Sequence, residues 1–368
     1  MLVYIHIPFC KKKCAYCDFC SVEGTPNERY LAALKREIEL ASGDFSEVVE
    51  SVYFGGGTPS VLDAGVLPDI LNTLSKYCKL GKSPEVTAEA NPENIDIEKL
   101  HAWKAGGINR VSIGVQSLND KTLAEIGRLH NAEEALDAVK NAVKIIGNVS
   151  ADLMAGLPHQ TPENARNDTL TLINEGINHL SCYMLHLDDG VLLKKKIEDS
   201  EIVLPSEDAS ADIFDAVKEA LIKSGFNRYE VSNFARTGYR SRHNLGYWTG
   251  ENYLGLGLSA HSYLNGVRFE NPSEFAGYYS LIESGKLARK NHKKLSEAEK
   301  LSEYIMLRLR LSLGIDLAEF YRRFGFDFLP RYSSVIEKYS ECFVIDESSA
   351  ALNDRGFDIM NMILCELI

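Results

Sequence analysis

Four of the eight cysteines crowd between positions 10 and 20, and three follow one loop spacing, Cys10-Lys11-Lys12-Lys13-Cys14-Ala15-Tyr16-Cys17. Thiolates spaced in this way can reach three corners of an iron–sulfur cube and leave its fourth iron without a protein ligand. An open iron can be chelated by the amino and carboxylate groups of S-adenosylmethionine (SAM). An electron from the cluster then cleaves the sulfonium to a 5′-deoxyadenosyl radical. The alternative is a zinc knuckle on Cys10, Cys14, Cys17 and Cys20, although tetrahedral zinc sites usually draw on two separated ligand pairs. In a chain of 368 residues with no signal peptide, metal binding accounts for the crowding better than disulfides. Cys78, Cys182, Cys342 and Cys365 stand alone in apolar stretches and read as small buried hydrophobes.

Further chemistry-bearing segments follow down the chain: Tyr53-Phe54-Gly55-Gly56-Gly57-Thr58-Pro59-Ser60, Glu89-Ala90-Asn91-Pro92, Gly114-Val115-Gln116-Ser117, Gly127-Arg128-Leu129-His130 and Asp152-Leu153-Met154-Ala155-Gly156-Leu157-Pro158. The glycines at 55–57 let backbone groups approach a ligand that a Cβ would obstruct. The loop lacks the Lys-Ser/Thr of a P-loop, which argues against a nucleoside triphosphate. Together with Tyr4-Ile5-His6-Ile7-Pro8-Phe9-Cys10 ahead of Cys14 and Cys17, these segments resemble, in order, the radical-SAM proteins related to oxygen-independent coproporphyrinogen III oxidase. The resemblance spans at least the first 190 residues. It implies a [4Fe–4S] cluster on Cys10, Cys14 and Cys17, with SAM bound by Tyr4, Tyr16, Gly56, Gly57, Thr58, Glu89, Gln116, Arg128 and Asp152. Within that set, Glu89 suits the ammonium of SAM, Arg128 its carboxylate, and Gln116 and Asp152 its ribose hydroxyls.

Two features depart from the oxidases of this family. Phe19 stands where they typically carry a fourth cysteine, with Cys20 one residue too late, and the first strand begins at residue 2, without a substrate-enclosing segment ahead of it. A third feature is positive: His243-Asn244-Leu245-Gly246-Tyr247-Trp248 resembles the His-Asn-x-x-Tyr-Trp signature of the haem-chaperone branch. A neutral imidazole is a common axial ligand of haem iron, and neighbouring aromatics can cover a porphyrin face. The resemblance therefore implies haem as a further cofactor, held by His243, Tyr247 and Trp248, a haem-accepting client protein and an electron donor. Whether SAM is cleaved stays open. The competing reading is a SAM-dependent decarboxylase of coproporphyrinogen III.

These residues must be positioned by the elements around them. Candidate strands at Leu2–Ile7, Val49–Phe54, Glu85–Ala90, Arg110–Val115, Val149–Met154 and His179–Leu185 alternate with helical patterns at Asn27–Ala41, Asp63–Tyr77, Ile97–Ala105, Ala132–Ile146 and Glu163–Glu175. This alternation predicts an α/β fold with a parallel sheet and right-handed crossovers, with ligands at the carboxyl ends of the strands. Six units favour a partial (β/α)6 TIM-like barrel, the radical-SAM type, over a closed eight-fold one. The expected division is a barrel over 1–205, an extension facing haem or substrate over 206–290, and a mostly helical winged-helix-like domain over 291–368. Gly255-Leu256-Gly257-Leu258-Ser259-Ala260 fits a dinucleotide fingerprint on paper but lacks a βαβ setting.

Charge narrows the partners. The net charge of −12, spread without long acidic blocks, argues against nucleic acid and anionic lipid. Residues 291–368 carry 10 Lys/Arg against 13 Asp/Glu, the wrong sign for a phosphate-reading winged helix. The apolar start, Met1 to Ile7, is too short to span a bilayer and lacks a basic n-region. The expected location is cytoplasmic, with room for a peripheral membrane contact.

Overall fold

The computed structural model describes residues 1–24 and 27–368. Six strands, β1 (Leu2–Ile7), β2 (Val49–Gly56), β3 (Leu80–Ala90), β4 (Arg110–Gln116), β5 (Val149–Ala155) and β6 (His179–Met184), run parallel in that order. Each is followed by a helical crossover. The helices Glu28–Leu40, Ile97–Ala105, Ala132–Ile145 and Pro162–Asn174 begin at Asn27, Asp96, Asn131 and Thr161, whose side chains accept the first free amides.

The sheet continues past both edges of this six-strand unit. β8 (Asn233–Ala235) adds antiparallel to β6, and β7 (Asn227–Arg228) pairs antiparallel with β8. On the other side, β9 (Tyr253–Leu256) lies parallel to β1, and β10 (His261–Leu264), β11 (Val267–Glu270) and β12 (Lys290–Lys294) follow antiparallel. The result is a twelve-stranded sheet ordered β12-β11-β10-β9-β1-β2-β3-β4-β5-β6-β8-β7, curled but not closed. Its lysine-rich outer strand, Lys290-Asn291-His292-Lys293-Lys294, protects one edge from further pairing. The fingerprint-like Gly255–Ala260 segment is the end of β9 and its turn into antiparallel β10, so no βαβ unit starts there.

Side-chain alternation determines what the curled sheet encloses. Val3, Ile5, Val52, Phe54, Val86, Ala88, Val111, Ile113, Val149, Ala151 and Leu180 belong to one apolar core beneath the helices. The intervening residues, including Ser51, Thr87, Arg110, Ser112, Ser150, His179 and Ser181, are buried yet polar. A parallel sheet buried on both faces normally reads as nearly continuous apolar runs; here the period of two leaves a polar lumen.

Residues from 297 onward form a second core around Phe320, Phe328, Phe357 and Ile363. It combines the helices Glu297–Arg308 and Leu317–Phe324 with a three-stranded antiparallel sheet of β13 (Ile315–Asp316), β14 (Phe343–Ile345) and β15 (Ser349–Leu352). The final helical stretch is broken into Asp354–Asp358 and Met360–Leu367. Among the described residues no helix is long and apolar enough to cross a membrane.

Candidate functional site

At the carboxyl ends of β2 to β6 the lumen opens into a cavity of about 380 Å³ lined by Cys10, Cys14 and Cys17 together with Glu89, Gln116, Arg128 and Asp152. The cysteine loop leaves β1 at Pro8 and is held from both sides. The Cys10 Sγ accepts from Thr58 Oγ1 at 3.4 Å, and the Cys14 Sγ accepts from Arg128 Nη1 at 3.4 Å. The amide of Ala15 donates to the Ile126 carbonyl at 2.9 Å. Hydrogen bonds to sulfur favour thiolate over thiol and tune any cluster those sulfurs hold.

Cys20 does not join the other three. Its Sγ lies 3.9 Å from the Ser273 carbonyl, and its side chain packs against the main core. Its own carbonyl is 2.8 Å from His6 Nε2, which pins the far end of the loop. Among the described residues no three His, Cys, Asp or Glu side chains gather about a point fit for a lone metal ion. Phe19, at the position where the oxidases keep a cysteine, is 65% exposed at the cavity mouth.

The glycine loop gives the cavity its room. A Cβ on Gly57 would lie 3.0 Å from the Cys10 Sγ and 2.7 Å from the Phe9 carbonyl, and Gly56 holds φ +114° against the His6 ring. Any side chain here would displace the cysteine or the ligand beside it. Gln116, at the end of β4, has φ +67° where the pairing with β5 shifts register. A left-handed backbone at a non-glycine residue is costly and gathers at binding sites.

Glu89 accepts from Tyr53 Oη at 2.8 Å and from the Gly56 amide at 3.3 Å, and burial pushes its carboxyl up to about 7. Asp152 accepts from Ser112 Oγ at 3.1 Å and from Ser150 Oγ at 3.4 Å, and burial raises its pKa also. The Arg128 guanidinium reaches Asn91 Oδ1 at 2.9 Å and the Gly114 carbonyl at 2.5 Å, while its buried Nε has no acceptor. Thr58 and Tyr16 are on the wall as well. Tyr4, expected beside SAM, is not: its hydroxyl is 3.0 Å from His6 Nδ1, and its ring stacks on Tyr53 at 6.3 Å, behind the wall. Its position on β1, two residues before His6, places it one layer below the rim.

The residues present fit the cofactors implied by the spacing. Three thiols reach one cavity, a cradle there excludes any Cβ, and the buried Nε atoms of two arginines on its wall, Arg110 and Arg128, lack a partner.

The His243 segment folds as a helix, Arg242–Thr249, whose Asn244 amide donates to the Oγ of its Ser241 cap and whose Arg242 and His243 amides donate to the buried Glu85 carboxylate. It packs across the amino ends of the strands, where Gly246 abuts Leu2. His243, expected to hold haem, is buried in this structure. Its Nδ1 lies 2.8 Å from Ser51 Oγ and its Nε2 3.0 Å from Tyr247 Oη, and its ring stacks on Tyr53 at 5.0 Å. Burial first, and the charge of Arg110 second, lower its pKa to about 3, so it is neutral with both nitrogens engaged. Spacing of four on a helix makes the His243–Tyr247 contact. Tyr247 and Trp248 line a neighbouring cleft of about 550 Å³ with Tyr183, Tyr253, Arg268 and Arg310. That cleft shares Tyr183 and Asn244 with the cysteine cavity.

Sequence reasoning passed over Arg110. It lines the cavity at 1% exposure, and its Nε has no acceptor. The signal was the alternation Arg110-Val111-Ser112-Ile113-Gly114-Val115-Gln116, polar or small at every second position of a buried strand.

Comparison with known proteins places these features in a family. Residues 4–170 match the Radical SAM superfamily model, and residues 295–359 match the HemN C-terminal domain model. The chain is 33% identical to the heme chaperone HemW of Lactococcus lactis subsp. lactis (strain IL1403), over 97% of this chain and 94% of the relative. It is 33% identical to the heme chaperone HemW of Bacillus subtilis (strain 168), over 95% of this chain and 93% of that protein. Among solved structures, coproporphyrinogen III oxidase (HemN) from Escherichia coli superposes with a TM-score of 0.86 at 23% identity, covering 99% of this chain and 89% of the other. That likeness shows a shared fold.

Proposed function

The chain belongs to the heme chaperone HemW family within the radical SAM superfamily, and from that premise we propose that it is an iron–sulfur protein that binds SAM and haem and passes haem to client proteins. The observation that carries the cofactor reading is the division among the four crowded cysteines: Cys10, Cys14 and Cys17 line one cavity, and Cys20 turns away from it. The three thiolates would hold a [4Fe–4S] cluster and leave one iron for SAM. Cluster and SAM together supply one-electron chemistry at the sulfonium.

The chain's own residues bind and orient. Arg128 steadies the Cys14 sulfur and offers its unpartnered Nε to an acceptor on the ligand. Glu89 takes the ammonium of SAM, Gln116 and Asp152 take ribose hydroxyls, and the glycine loop with Thr58 and Tyr16 encloses the nucleoside. Tyr247 and Trp248 offer the aromatic surface on which a porphyrin lies, in the cleft beside this cavity. His243 reaches iron only by releasing the Tyr247 hydroxyl from its Nε2. The haem-accepting client and the electron donor are proteins of the cytoplasm, where the chain itself acts.

The test uses one anaerobically reconstituted preparation. We expect brown protein that binds haem stably and converts little or no coproporphyrinogen III, and a His243→Ala variant with an intact cluster but an altered haem spectrum. Robust decarboxylation of coproporphyrinogen III together with an unchanged haem spectrum in His243→Ala would replace this reading with the oxidase one.

A further inference from the structure

One buried charged group on the cavity wall, Arg110, has no role so far. Arg110 begins β4 and pairs in register with Thr87, deep in the lumen. It is 1% exposed, it lines the cavity, and its Nε is a buried donor without an acceptor. Among the described residues, no carboxylate lies within ion-pair distance, 4.0 Å, of its guanidinium.

The buried acids Glu89 and Asp152 feel the charge of Arg110 but accept their hydrogen bonds from other groups. Glu89 accepts from Tyr53 and Gly56, Asp152 accepts from Ser112 and Ser150, and Glu85 caps the Arg242–Thr249 helix. The buried imidazoles that face Arg110, those of His179 and His243, are kept neutral by burial and then by its charge. A buried guanidinium without a directly bonded anion is costly to the empty protein, because it has lost its water without a full replacement. Its planar fork fits a carboxylate in two-point contact.

We propose that Arg110 receives a carboxylate of the ligand that enters this cavity, namely a propionate of a tetrapyrrole. The inference rests on the haem-binding function proposed above. Two sources of a carboxylate exist here, the propionate and the methionine end of SAM. Arg110 starts β4 four residues before Gly114, which pairs with Asp152, a backbone rise of about 13 Å that its side chain spans in part, since its charge reaches Glu89 and Asp152. Arg128, bonded to the Cys14 sulfur at the rim, would be the nearer partner for the methionine end of SAM, which leaves Arg110 for a second molecule; the SAM arm of the test separates the two sources. The opening shared with the Tyr247–Trp248 cleft through Tyr183 and Asn244 gives that molecule its way in.

The test compares haem with haem dimethyl ester, which has the same ring but no carboxylates, on reconstituted wild type, Arg110→Met and Arg110→Lys, with SAM affinity measured in parallel by calorimetry. Wild type should bind haem at least about tenfold more tightly than the ester. Arg110→Met should lose that preference while holding the ester as well as wild type does, and Arg110→Lys should keep part of it. SAM affinity should stay within about twofold throughout. An equal preference for haem in wild type and Arg110→Met would overturn the proposal. A loss of SAM affinity with the preference intact would overturn it also and give the carboxylate to SAM. Should Arg110→Met fail to fold, equal affinity of wild type for haem and its ester would overturn it without any variant. Wild type that binds neither porphyrin refutes the haem-binding function, and the propionate assignment falls with it. Porphyrin binding without a carboxylate preference refutes the Arg110 assignment alone.

Discussion

At the carboxyl ends of the strands, hydrogen-bonding capacity is left over: Arg128 has a buried Nε without an acceptor, Gln116 holds a left-handed backbone, and three thiols share one cavity. At the amino ends, under the Arg242–Thr249 helix, polar groups of similar kind are almost fully used. His243 is bonded to Ser51 and Tyr247, His179 to Ser150 and Tyr229, and Glu85 to two helix amides. Both regions are buried and polar, so burial of polar residues does not by itself mark a binding site. The mark is capacity without a partner, because an unpaired buried group is costly unless a ligand completes it. Arg110 and its neighbour Thr87 are exceptions on the inner side, and Arg110 carries the charge that calls for a ligand.

The largest effect expected from breaking this contrast is at the thiols. Replacing any one of Cys10, Cys14 or Cys17 by Ala should abolish the cluster, read as iron and sulfide content after anaerobic reconstitution; normal iron in Cys14→Ala would overturn the ligand assignment. Next comes the rim that holds SAM. Arg128→Ala or Glu89→Ala should cost about 2–5 kcal/mol of SAM binding by calorimetry, the usual loss of one desolvated charge-assisted partner, and leave the iron in place. Unchanged SAM affinity in both variants would move the ligand elsewhere on the rim.

The amino-end network should answer to pH. His243 is neutral in the folded protein down to about 3, whereas an unfolded chain protonates it below about 6.5. Falling pH therefore favours unfolding from about 6.5 downward, and the stability present at neutral pH is lost on acidification. Between pH 7 and pH 5 this one group accounts for about 2 kcal/mol. His243→Gln should flatten the acid limb of the denaturation profile by that amount, and an identical slope in the variant would show that the ring is not held neutral. The smallest effect is expected at Cys20, which touches the core but not the cavity: Cys20→Ala should keep full iron content and change stability by no more than about 1 kcal/mol.

Much of this was legible in the chain. The six strand–helix units were readable because Asn27, Asp96, Asn131 and Thr161 announce helix starts and the strands between them are long. The region over 206–290 was not, since Asn227–Arg228 and Asn233–Ala235 are too short to show a period, and β9 to β12 are single edge additions of four or five residues. The cysteines were found by spacing, and Cys20 was set aside by position. The burial of His243 was hidden because a signature names residue types without saying which way a helix turns them; the spacing of His243 and Tyr247 already allowed each to satisfy the other. Arg110 was hidden at the start of a strand, where a charge reads as a boundary and not as a lumen residue.

If Cys10, Cys14 and Cys17 hold a cluster with one iron open to SAM, electron paramagnetic resonance of the reduced, reconstituted protein, recorded with and without SAM, will report it. The expected result is a [4Fe–4S] signal that SAM shifts in wild type and shifts less at the same SAM concentration in Arg128→Ala. A colourless zinc protein, or a cluster signal that SAM leaves unchanged, would contradict it.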